Sequence, residues 1–183
     1  MGKKQKWSWK SALVGAAAAT ATAAVVLGRP RDPSFDLLSL RLSSLKLNPP
    51  DLEAELNLAV HVKNPNITHV NYSSANIPIY YHGAILGFAQ VHAGTQRPKS
   101  CQVLRLRARL HGLELAQHSP QLLADVARRE MVLDAAGEVG GTANLLWWGT
   151  RFKLHVESHL VVDPVSLDVV DQENRSEIEL FTA

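Results

Sequence analysis

Leu52-Glu53-Ala54-Glu55-Leu56-Asn57-Leu58-Ala59-Val60-His61-Val62-Lys63 is the stretch that decides the fold. From Leu52 to Val62 every second residue is apolar, while Glu53, Glu55, Asn57, His61 and Lys63 fill the places between. Successive side chains on a strand point to opposite faces, so this period of two gives one apolar face and one wet face. Asn64-Pro65-Asn66 follows, a turn signal containing a residue with no N–H for a ladder.

The same pattern recurs along the chain. Phe152, Leu154, Val156, Leu160 and Val162 alternate with Arg151, Lys153, His155, Glu157 and His159, and the run ends at Asp163-Pro164. Ala75, Ile77, Ile79 and Tyr81 share a face before a His82-Gly83 turn, and Leu104, Leu106, Ala108 and Leu110 alternate with Arg105, Arg107, Arg109 and His111. Residues 34–47 and 131–146 read as longer, less regular strands, and 177–181 as a short terminal one. One segment breaks the period. Ser119-Pro120 is N-cap chemistry with proline in the first turn, Leu122, Leu123, Val126 and Ala127 recur at helical spacing, and Arg128 and Arg129 suit a helix C-terminus. The expectation is an all-β, antiparallel β-sandwich of about seven strands with one short helix at 119–129.

Ahead of this domain the composition changes. Residues 1–31 hold Lys3, Lys4, Lys6, Lys10, Arg29 and Arg31 and no acid, a charge of +6. The net charge is +2, so the remainder is −4. A mildly acidic domain argues against nucleic acid as its partner. Ser11 to Gly28 carries no charge, and a helix there would be about 27 Å long, enough for a thin bilayer. It is rich in alanine, and Trp7 and Trp9 sit among the lysines as an interfacial belt would. The organisation expected is therefore a basic cytosolic segment at 1–10, a transmembrane signal anchor at 11–28 and a linker at 29–33. A β-sandwich domain follows at 34–182. Lys10, Arg29 and Arg31 flank the anchor, and their imbalance puts the N-terminus in the cytosol and the domain outside or in a lumen. A cleaved secretory signal and a plastid or mitochondrial transit peptide are the alternatives.

The search for chemistry finds no catalytic, cofactor or metal site. Cys101 is the sole cysteine, which excludes an internal disulfide, and it is expected as a small buried side chain. His155 and His159 share a strand face, but four residues of strand separate them by roughly 13 Å, too far to share a metal. The arginines of 105–109 read as a solvated strand face, and Trp147-Trp148 as one core and one partly exposed indole. Three sequons, at Asn66, Asn71 and Asn174, are candidate glycosylation sites and accord with a domain outside the cytosol.

Leu58-Ala59-Val60-His61-Val62-Lys63-Asn64-Pro65-Asn66 and Ile79-Tyr80-Tyr81-His82-Gly83-Ala84-Ile85-Leu86-Gly87 carry a resemblance. They are similar to two motifs of the late embryogenesis abundant type 2 family of plants, whose domain is also described as the water-stress and hypersensitive-response domain. The first is a strand running into Asn64, Pro65 and Asn66; the second is a hairpin marked by Tyr81, Gly83 and Gly87. Strand 103–110, the Ser-Pro helix and strand 151–162 follow in the family's order, so the resemblance covers about 34–182. It implies an immunoglobulin- or fibronectin-like sandwich and, among its members, membrane-anchored hairpin-induced-like proteins of dehydration and defence. It carries over no catalytic residue and no cofactor. The paired cysteines common near the C-terminus of such members are missing. The function expected is a non-catalytic, membrane-anchored stress or defence protein that acts by binding a protein or lipid partner or by protection. The alternatives are a soluble structural protectant against water loss and a lipid-binding sandwich module.

Overall fold

The stretch that opened the sequence reading is β2 (Asp51–Lys63), a central strand of the computed structural model, which describes residues 30–48, 51–112, 119–145 and 148–181. On one side β2 pairs antiparallel with β1 (Ser34–Asn48), with Leu40 opposite Leu58 and Leu37 opposite Val60. Its other side pairs with β7 (Cys101–His111), where Leu58 faces Leu106 and Leu56 faces Ala108. Matching apolar residues across both ladders stacks one continuous apolar face, and Ala108 at its centre is fully buried.

The remaining strands are β3 (His69–Tyr72), β4 (Ala75–Tyr81), β5 (Ala84–Val91), β6 (Gly94–Gln96), β8 (Met131–Leu145), β9 (Trp148–Val162) and β10 (Val169–Phe181). Hydrogen bonding runs β1-β2-β7-β5-β4-β8-β3-β6, with β9 on the free side of β8 and β10 on β9. All the ladders are antiparallel. The all-β, antiparallel expectation holds. The strand number does not: among the described residues ten replace the expected seven or so. β3 and β6 have four and three residues, too short for a period to show. β5 hides its alternation behind Gly87 and a register shift between Ile79 and Tyr80. β10 starts at Val169 instead of residue 177, because its inward positions include Gln172, Asn174 and Ser176; pairing with β9 along its length makes it a strand.

Two separate sheets were also expected, and one curled sheet is found. Its two leaves are joined through β4 and β8 by two residue pairs, Ile79 with Ala135 and Tyr80 with Asp134. The curl brings β1 and β10 side by side without a ladder, and side chains bridge them. The Gln172 amide accepts from Leu37 N at 2.9 Å and donates to Leu37 O at 3.3 Å, reproducing a peptide group. Ser176 Oγ donates to Pro33 O, and Ile178 N donates to Asp32 Oδ1 at 2.9 Å.

The helix, α1 (Ser119–Arg128), forms where expected. Arg129 takes a left-handed φ of 58°. Arg129 N donates to Val126 O at 3.2 Å and Glu130 N to Asp125 O at 3.0 Å, the two bonds of a Schellman cap. Its buried face differs from the expected one. Leu123 is 70% exposed, and Asp125 is turned inward beside Leu122. The anchor expected at 11–28, with Lys10 and Arg29, lies outside the described residues, as does Trp147. Among the described residues no helix is long and apolar enough to cross a membrane.

Candidate functional site: an apolar interior and its polar rim

The inward positions of β2, β7 and β9 are apolar by alternation, yet Leu58, Val60, Leu106, Leu154 and Val156 are only half-buried. They line a cavity of about 210 Å³ between the leaves. Protein interiors normally leave few voids larger than a water molecule, so the chain does not fill its own core here. The space exceeds the roughly 150 Å³ of an apolar cavity that stays dry and takes up benzene. Asn64, Asn66 and Gln96 stand on its edge at one place and Ser158 and Asn174 at another, while Ser34, Tyr72, Asp134 and Glu157 also border it.

The amides and Ser158 already have partners. Gln96 Nε2 donates to Val62 O at 2.9 Å and to Ser100 O at 3.2 Å. Ser158 Oγ donates to Asn174 Oδ1 at 2.6 Å, and Asn174 Nδ2 donates to Gln172 Oε1 at 3.0 Å. Among the described residues no buried side-chain nitrogen or oxygen lacks a hydrogen bond. The cavity thus presents mainly hydrocarbon, and the amides on its edge are already engaged.

The first motif builds the rim. Asn64 is 2% exposed and makes an Asx turn, its Oδ1 accepting from Asn66 N at 2.9 Å. Its Nδ2 donates to Thr68 O at 3.0 Å and Arg97 O at 3.1 Å, tying the turn to the segment between β6 and β7. Lys99 Nζ donates to Pro65 O. The Asn66 amide pairs with the Arg31 backbone, accepting from N at 2.7 Å and donating to O at 2.8 Å.

The second motif is a hairpin pinned to the helix. His82 and Gly83 both have positive φ, 48° and 80°, as a two-residue type I′ turn requires. A Cβ on Gly87 would lie 2.0 Å from Arg109 O, so only glycine lets β5 approach β7 there. Tyr81, 2% exposed, donates its hydroxyl to Asp125 Oδ2 at 2.8 Å. Asp125 also holds Arg128 at 2.8 Å and lies 3.7 Å from His82 Nε2. Burial above all, with Asp125 second, pushes the Tyr81 phenol up to about 12. Asp125 was missed in the sequence. Its only signal there is a carboxylate three residues after Leu122, on the stripe that faces the sheet.

The three sequon asparagines fall in different settings. Asn66 and Asn174 have their Nδ2 in the hydrogen bonds just described, which a glycan would displace. Asn71 lies in β3 between Thr95 and Thr142, with both neighbours paired to it. Arg31 is exposed and meets Asn66. Cys101, expected buried, is exposed, because the alternation of β7 puts it on the face of Arg105 and Arg107. His155 lies between Glu138 and Glu179, at 3.3 and 3.6 Å, and His159 meets Asp134 at 2.7 Å, so the two bind separate carboxylates.

The sequence model of one family, described as late embryogenesis abundant protein, matches residues 59–159, a span that takes in the Asn64-Pro65-Asn66 turn, the second motif, the helix, β8 and most of β9. The chain belongs to the late embryogenesis abundant type 2 family. No curated protein matches it. Among solved structures, a protein from Archaeoglobus fulgidus is 15% identical with a TM-score of 0.38, over 81% of this chain and 98% of that one. A likeness so distant carries neither fold nor function. Within the late embryogenesis abundant domain, β1 and β10 lie outside the matched span, and they are the two strands that meet without a ladder.

Proposed function

We propose that this late embryogenesis abundant type 2 protein is a non-catalytic stress protein, anchored in a membrane by residues 11–28, whose domain takes up an apolar molecule such as a lipid acyl chain. The immunoglobulin-like kinship of the curled sheet, the domain's place outside the cytosol and a role in dehydration or defence belong to the same proposal. The observation that carries it is the cavity: a space of about 210 Å³ lined by leucines, valines and isoleucines, of which Leu58, Val60, Leu106, Leu154 and Val156 point inward yet stay half-buried. Covering apolar surface is worth roughly 25 cal/mol per Å², and each methylene that leaves water contributes about 0.8 kcal/mol. Six or so methylenes in the cavity therefore give about 5 kcal/mol before ordering losses. An interior of hydrocarbon takes the chain and leaves a polar headgroup outside.

The test is extraction and mass spectrometry of the domain (residues 31–183) purified without detergent, with displacement of an environment-sensitive fluorescent fatty acid as a second readout. Leu106→Trp, which fills the cavity, should abolish probe uptake while the domain stays folded. Absence of both co-purified lipid and probe uptake in the parent domain refutes the proposal. Protection of an unrelated enzyme from drying, undiminished by Leu106→Trp and beyond an equal mass of albumin, would instead favour a structural protectant.

A further inference from the structure

The outer face of the leaf β1-β2-β7-β5 carries a charge distribution that the cavity does not explain. Its acids already have neighbours: Glu53 meets Lys46 at 3.1 Å, Glu55 meets Arg109 at 3.3 Å, and Asp36 lies 4.0 Å from the His61 ring. Arg41, Lys63, Arg105 and Arg107 are exposed and make no ion pair among the described residues. The register groups three of them. Arg41 is opposite Asn57, Asn57 opposite Arg107, and Arg107 opposite Gln90, one row across four strands about 4.8 Å apart. Arg105 lies two residues along β7, about 6.8 Å from that row.

The opposite leaf has the reverse character. On the outer face of β8, β9 and β10, Asp134, Glu138, Glu157, Glu173, Glu177 and Glu179 outnumber Arg151, Lys153 and Arg175. The domain therefore has one basic and one acidic flank although its net charge is small. Apolar side chains are also exposed on the basic flank: Val103 beside Arg105 at 52%, and Phe88, opposite Arg109, at 42%. A broad sheet face offering guanidinium groups with interspersed apolar side chains fits a plane of phosphate headgroups better than a narrow polymer chain.

We propose that the Arg41–Arg105–Arg107 face docks the domain onto an anionic lipid surface. With this face on the lipid, the acidic flank is turned away. Each arginine near an anionic surface shifts the partition about fivefold, so three together account for on the order of a hundredfold at low ionic strength. The attraction fades as salt shortens the screening length.

The chain supplies its own reporter, since Cys101 is the single cysteine, is exposed and lies on this flank. Full-length protein labelled at Cys101 with a fluorophore is reconstituted in phosphatidylcholine vesicles, with or without 30% phosphatidylserine, that contain a spin-labelled quencher lipid. The expected result is quenching at Cys101 that needs phosphatidylserine, falls at 0.5 M salt and is lost in Arg41→Gln/Arg105→Gln/Arg107→Gln. A label on the acidic flank, Glu177→Cys in a Cys101→Ser background, should stay unquenched. Quenching that ignores the headgroup, survives the triple substitution, is equal on both flanks or is absent from every vesicle overturns the proposal. So does a soluble polyuronate that, without vesicles, changes the Cys101 signal with the same arginine dependence, because the face would then be a polymer site.

Discussion

Tyr81→Phe removes one oxygen atom and tests how the helix is held to the sheet. The ring stays and fills the same space, so no cavity opens. What is lost is the bond from the hydroxyl to Asp125 Oδ2 at 2.8 Å, inside a site where Tyr81 is 2% and Asp125 6% exposed. A hydrogen bond to a charged group is worth about 1.5–3 kcal/mol. Asp125 keeps Arg128 at 2.8 Å, which places the loss in the lower half of that range, about 2 kcal/mol. For a domain of this size that is a fall in Tm of about 4–8 °C. The pH dependence gives a sharper signature. An unfolded tyrosine loses its proton near pH 10, whereas the folded Tyr81 holds its own to about 12. A phenol whose folded pKa is raised contributes stability in full below the unfolded value and loses it as pH rises through the folded one. The parent should therefore lose about 2 kcal/mol relative to Tyr81→Phe between pH 10 and pH 12. Urea unfolding of both proteins at pH 7, 10, 11 and 12 measures this. A difference below about 0.5 kcal/mol at pH 7, or parallel pH profiles, refutes the reasoning. A double-mutant cycle with Asp125→Ala assigns the energy to the pair, with an expected coupling of at least about 1 kcal/mol.

Further predictions concern the backbone of the two motifs. Gly87→Val should prevent stable folding or cost more than about 3 kcal/mol, because the added Cβ would meet the Arg109 carbonyl 2.0 Å away, backbone that cannot swing aside; soluble expression and near-UV circular dichroism read this out. Gly83→Ala should be milder, about 1 kcal/mol in urea, since space around it is open and only its φ of 80° is strained. Asn64→Ala removes the donor to Thr68 O and one of the two donors to Arg97 O, the other being Ser100 Oγ, and should cost about 1–3 kcal/mol, with faster hydrogen exchange in β6 and the 97–100 segment. Acid unfolding should respond to Asp163, whose carboxyl is held below the usual range chiefly by the Val165 N–H. That stability is present above the unfolded pKa and lost as pH falls through the folded one, so Asp163→Asn should flatten the acid limb of a pH titration.

The sequence by itself determined β2, β7 and β9, because each is long, half-buried and alternates apolar with polar residues, so the side-chain period reports which face meets the core. It also determined both motifs and the limits of the helix, since Asn-Pro-Asn, His-Gly and Ser-Pro act on the backbone within a few residues. Tertiary structure decided the rest. β10 is a strand because β9 pairs with it, although its inward residues are polar. β3 and β6 are too short to carry a period, and they exist because β8 supplies β3 with an edge and β3 supplies β6 with one. Asp125 turns inward because Tyr81, 44 residues earlier, offers a hydroxyl in the core. The interior cavity and the gathering of Arg41, Arg105 and Arg107 on one flank likewise depend on register and curl. Residues far apart along the chain meet only when strands align, and no local pattern records that alignment.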